Sequence, residues 1–138
     1  MGFGLADLKE GGFTAGDLRS EGGYGCSDMK RVGFDAGTLR SAGYSGSEMR
    51  VAGFSCVAMR ESGHNAKKVR AAGYTASEAS DAGWSVEVLK EAGYVAGELR
   101  DAKRTCTELC AVNFTLAELK GAAGYASCMV HRCCLQYT

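Results

Sequence analysis

Apolar residues recur along this chain as an alternating pair, a ring and then an aliphatic side chain, with five residues from one to the next. The rings fall at Phe3, Phe13, Tyr24, Phe34, Tyr44, Phe54, His64, Tyr74, Trp84, Tyr94, Phe114 and Tyr125. The aliphatic residues fall at Leu8, Leu18, Met29, Leu39, Met49, Met59, Val69, Leu89, Leu99, Leu109 and Leu119. Most positions between them are polar or small. The pattern condenses to a ten-residue phrase, Ala-Gly-ring-Ser/Thr-Ala-x-Glu-Leu-Arg/Lys-x, numbered here 1 to 10 from its Ala. The phrase slips by one residue near Glu21 and again near Ala122. Self-similarity at a fixed period signals a repeat architecture.

The local chemistry of the phrase predicts a short helix. Position 4 in most copies is Ser, Thr, Asp or Asn, as at Thr14, Asp35, Ser45, Ser55, Asn65, Thr75, Ser85, Thr105 and Thr115, residues whose side chains accept from a free N–H at a helix start. An acid three residues later, as at Asp17, Glu48, Glu78, Glu108 and Glu118, completes a capping box in the Ser/Thr copies. The ring before the cap and the aliphatic residue at position 8 have the spacing of a hydrophobic staple. A cation at position 9 suits the negative end of the helix, and the next Gly closes it with positive φ. Each helix is expected from position 5 to about position 1 of the next copy. That is roughly 10 Å of helix, too short to stand alone. Positions 1, 3, 5 and 8 are expected inward, with 6, 7, 9 and 10 facing water. Stacking then gives an all-α, short-helix solenoid of about twelve ten-residue repeats, each packing mainly on its sequence neighbours.

A right-handed β-helix of pentapeptide type is the alternative, because an apolar residue does recur every five positions. It would place Lys67 and Glu87 at inward positions and set Gly before nearly every ring, where strands disfavour it. The helical reading avoids both.

The phrase, clearest at Ala72–Glu78 and Leu99–Asp101, resembles the tandem decapeptide repeats (AGFSAxELK-like) found in long repeat proteins of protists and algae. The resemblance covers Gly2 to about Met129. It implies a binding or scaffolding role and no catalytic residue.

Length fits one repeat domain over residues 1–138, with repeats across 2–129 and an irregular tail over 130–138. Two copies depart from the pattern: Lys103 replaces Gly, Arg104 replaces the ring and Asn113 replaces Gly. A kink or an elongated helix is expected at Ala102–Thr105. Sixteen Lys plus Arg balance sixteen Asp plus Glu, so the basic excess of a nucleic-acid binder is missing. Near-zero charge gives little colloidal repulsion and favours self-association or a protein partner. No apolar run is long enough to span a bilayer, and the first residues show no recognisable signal peptide. The expectation is a soluble protein, cytoplasmic or organellar.

Function is read from what repeats. The basic residues at position 9 would form a stripe in a solenoid, which makes Arg40, Arg50, Arg60, Arg70 and Arg100 the candidates for contact with a partner. Paired with the acids, the same row is a solvated face. His64 reads as a substitute ring. Seven cysteines include Cys106 and Cys110 on one helix face but no Cys-x-x-Cys knuckle. A metal reading would use Cys128, His131, Cys133 and Cys134, whose spacing fits no known pattern. No catalytic set stands apart from the repeat, so no enzyme activity and no cofactor is expected. The reading is a non-catalytic interaction or scaffold protein, a small structural or linker subunit of a larger assembly. A module that binds anions or ligands through the basic stripe is the second reading.

Overall fold

The computed structural model describes residues 2–122. The tail over 130–138 and the metal candidates Cys128, His131, Cys133 and Cys134 lie outside the described residues. The chain divides into two compact units, residues 1–73 and 74–138. The first holds α1 (Leu5–Glu10), α2 (Ala15–Ser20), α3 (Cys26–Arg31), α4 (Ala36–Ser41), α5 (Gly46–Val51), α6 (Cys56–Glu61) and α7 (Ala66–Ala71). The second holds α8 (Ala76–Asp81), α9 (Val86–Glu91), α10 (Ala96–Asp101), α11 (Cys106–Ala111) and α12 (Leu116–Gly121). Every helix has six residues, from position 5 to position 10, and the described residues contain no strand. The β-helix alternative is thereby excluded. Lys67 and Glu87, which it would have buried, are exposed.

The helix starts are made as the phrase predicts. All nine Ser, Thr, Asp and Asn residues at position 4 accept from the N–H three residues on. Where an acid stands at position 7 it bonds back, as from Thr75 N–H to Glu78 Oε2 at 2.7 Å, except at Asp28, which pairs with Arg31 instead. Val95 has no side chain to accept with, yet its N–H still donates to Glu98 Oε2 at 2.8 Å. These bonds hold the carboxyls of Asp17, Asp35, Glu48, Glu108 and Glu118 below their ordinary range.

The helix ends follow one motif. Gly43 N–H donates to the Arg40 carbonyl at 3.0 Å and Tyr44 N–H to the Leu39 carbonyl at 3.0 Å. That is a Schellman pair with Gly43 at φ 88. The same pair forms at Lys103 and Arg104, which donate to Arg100 and Leu99 at 2.8 and 3.0 Å. Lys103 takes φ 59 to do so. The expected kink at Ala102–Thr105 therefore does not occur. The stacked copies on either side fix the turn, and one strained residue, at about 1–2 kcal/mol, is cheaper than losing it.

The core is built from positions 3, 5 and 8. From Leu18 to Leu119 the residue at position 8 is buried in every described copy, including Ala79 in the copy before buried Trp84. The rings Tyr44, Tyr74, Trp84, Tyr94 and Phe114 are buried, as is His64.

Two expectations are corrected. The closest packing joins alternate helices: α2 with α4, α3 with α5, α4 with α6 and α5 with α7 in the first unit, and α8 with α10 and α10 with α12 in the second. Sequence neighbours also pack, as α6 with α7 and α8 with α9. One turn of each solenoid is thus two decapeptides. Position 9, expected to face water, is also half-buried in most copies, for reasons set by that same spacing.

Candidate functional site: the basic row at position 9

A helix end leaves its last carbonyls without intrahelical partners. In the first unit the basic residue at position 9 supplies a partner to the end of the second helix on, at position 1 or 2 three copies later. Lys9 Nζ donates to the Val32 carbonyl at 2.7 Å and Arg19 Nη1 to the Ala42 carbonyl at 3.0 Å. Lys30 Nζ reaches the carbonyls of Ala52 and Gly53 at 3.2 and 2.6 Å, and Arg40 Nη1 that of Ser62 at 2.9 Å. In the second unit Lys90 Nζ meets Val112 and Asn113 at 2.8 and 2.6 Å. A cation at the negative end of a helix is favoured by the dipole as well as by the bond.

The same cation lies on a ring. Lys9 Nζ is 4.7 Å from the centroid of Phe34, Arg19 Cζ 4.5 Å from Tyr44, Lys30 Nζ 4.9 Å from Phe54 and Lys90 Nζ 4.7 Å from Phe114. Each is within the range of a cation–π contact. The rings are tied as well, since Tyr94 Oη donates to the Tyr74 carbonyl at 2.8 Å and Tyr44 Oη donates to that of Tyr24. Position 9 therefore joins one solenoid turn to the next.

One copy reverses the pairing. Ser80 stands at position 9 in place of the cation, and Arg104 stands at position 3 in place of the ring three copies later. Arg104 Nε donates to Ser80 Oγ at 3.3 Å, and its Nη1 lies 3.4 Å from Glu108 Oε1. The cation still bridges the two turns, supplied from the other side.

The partner candidates are placed unequally. Arg40 and Arg60 are exposed, and Arg50, Arg70 and Arg100 are half-buried. Arg100 pairs with Asp101 Oδ1 at 2.7 Å. Arg50 Nη1 packs beside Gly73, where a Cβ would sit 3.6 Å from it. The row is thus no simple stripe of cations aimed at solvent.

His64 is buried at the ring position. Its Nδ1 lies 2.9 Å from Ser62 Oγ, which donates its own proton to the Met59 carbonyl at 2.8 Å. A carbonyl can only accept, so Nδ1–H donates to Oγ. Burial first, then Arg40 and Lys68, push its pKa down. Of the cysteines, Cys26 and Cys56 are buried at position 5 and Cys106 is disulfide-bonded. Burial, chiefly, raises the Cys26 thiol.

The linkage from position 9 to a carbonyl and a ring three copies later is what sequence reasoning missed. Its signal was present in the compensated exchange at Ser80 and Arg104, which makes sense only at twenty-residue stacking.

Neither the curated proteins nor the solved structures include a match to this chain. The family described as Decapeptide repeat region matches residues 1–57 and 53–127. Those matches span most of the sequence, and the chain belongs to the decapeptide repeat family.

Proposed function

We propose that the protein is a non-catalytic interaction scaffold, a small structural or linker subunit of a multiprotein assembly. The observation that carries this reading is the way chemistry-bearing side chains are used. Rings and cations are spent on joining one copy to another and capping acids on closing each helix start, so what each unit offers outward is a regular surface. Alternate helices repeat that surface about every twenty residues, and a rigid frame lets several weak contacts share one entropic cost. No helix among the described residues is long and apolar enough to cross a membrane.

Arg40, Arg60, Arg70 and Arg100 are proposed as contacts for acidic groups of the partner. A guanidinium has five N–H donors, so a bond to one carbonyl does not exhaust it. The test is a pull-down from native extract with the full chain and with a variant carrying Gln at these four positions. Circular dichroism first establishes that the variant keeps its helix. Loss of the partner from the variant, and weakening with salt in the parent, is expected. Retention of every partner would overturn the role given to these residues.

A further inference from the structure

Two departures from the repeat meet in one cavity of the first unit. It has a volume of about 450 Å³ and is lined by Arg40, Tyr44, Ser47, His64, Lys68 and Ala72, among others. His64 stands where other copies carry an aromatic ring. Lys68 stands at position 7, where copies with a full capping box carry an acid. The Asn65 cap bonds Lys68 N–H through Oδ1 at 2.9 Å but gets no carboxylate in return.

The second unit contains the control. Lys90, Phe114 and Glu118 stand fifty positions after Arg40, His64 and Lys68, and they line a cavity of about 430 Å³. There the cation faces a ring and a carboxylate. Glu118 is held in its capping box by Thr115 N–H at 2.7 Å. In the first unit the same place holds two cations and an imidazole, and no acid is among its lining residues. Arg40 Nη1 donates to the Ser62 carbonyl at 2.9 Å, which anchors one nitrogen of its fork and leaves the others for a ligand. Ser45 and Ser47 add hydroxyls, while Tyr44, Ala71 and Ala72 give an apolar wall. The volume is that of a small-molecule site, more than a bare oxyanion fills.

We propose that this cavity binds a phosphate monoester, with the phosphate between Arg40 and Lys68 and the organic part against the wall of Tyr44, Ala71 and Ala72. A phosphate suits a guanidinium anchored at one nitrogen next to an ammonium on a flexible stem. This goes beyond the scaffold reading and does not depend on it.

The test uses the full chain, phenyl phosphate as probe and phenol as control, with the His64 ring resonances as the readout and His64→Phe to assign them. The informative variant is Lys68→Glu. It restores the acid of the repeat and a carboxylate for the Asn65 N–H, so it is expected to fold. Phenyl phosphate should shift the His64 resonances saturably, and phenol should not. Lys68→Glu should weaken binding by at least about tenfold, as loss of a charge-assisted hydrogen bond requires. Absence of a saturable shift up to about 10 mM, beyond the millimolar end of recognised affinities, would overturn the proposal. So would equal affinity in Lys68→Glu, or phenol binding as well as the ester.

Discussion

A single position-9 cation does two things in this protein, and a mutation there should show both. Arg19 donates to the Ala42 carbonyl and lies over the Tyr44 ring, with about a third of its side chain exposed. A hydrogen bond from a charged donor contributes about 1.5–3 kcal/mol and an exposed cation–π contact about 0.5–1. Exposure and its nearness to Glu48 argue for the lower end. Arg19→Ala should therefore cost about 1–2 kcal/mol in urea unfolding, where a purely solvated Arg would cost under about 0.5. A cost in the latter range would mean that the carbonyl is equally well served by water. His64 gives a second residue-scale test. Its folded pKa lies below the unfolded value, so the unfolded chain binds the extra proton. Its contribution is complete above the ordinary histidine pKa and is lost as pH falls from there through the lowered value. His64→Phe restores the ring of the other copies and should flatten stability against pH across that window. Melting temperatures that keep the same slope in both proteins would assign the pH dependence elsewhere.

At the scale of the element, the helix–turn unit was legible almost completely, because each of its signals is local. Caps, boxes, staples and the closing Gly act within about six residues, and the sequence shows all of them together. The expectation failed where a local signal was broken and a distant one decided. Lys103 has no intrinsic reason to adopt φ 59, but stacked copies on both sides hold the turn. The position-9 linkage was hidden for the same reason, since its carbonyl and ring lie more than twenty residues away. Single changes in the turn should thus go opposite ways. Lys103→Gly relieves a left-handed side chain and should stabilise by about 1 kcal/mol. Gly43→Ala should destabilise by more than that. Its φ is 88, and an added Cβ would lie 2.6 Å from Arg19 Nη1, displacing the cation from its carbonyl. Thermal melts of the two variants check this. A stabilising Gly43→Ala would mean that the turn tolerates both strain and crowding.

At the scale of the whole molecule, the candidate site was legible as residue types but not as placement. The Arg row and His64 could be named from sequence. That much of the row would be half-buried, and that His64 and Lys68 would share a cavity with Arg40, required knowing that alternate copies stack. The stacking also limits how far any contact reaches. The longest side-chain bonds described, Ser77 to Asp101 and Arg104 to Ser80, span 24 residues. A chain held by contacts of that range has no need of its far end in order to fold, and its stability is close to a sum over copies and their interfaces. The first unit contains α1 to α7, with their alternate-helix packing and four of the cation–carbonyl links. Residues 1–73 produced alone should therefore show a helical far-ultraviolet spectrum and a cooperative melt. The Arg19→Ala cost should persist in that fragment, since Arg19, Ala42 and Tyr44 are all within it. A coil spectrum from the fragment would show that short-range stacking is not sufficient. A helical fragment insensitive to Arg19→Ala would show that burial at positions 3, 5 and 8 holds the turns together without the cations.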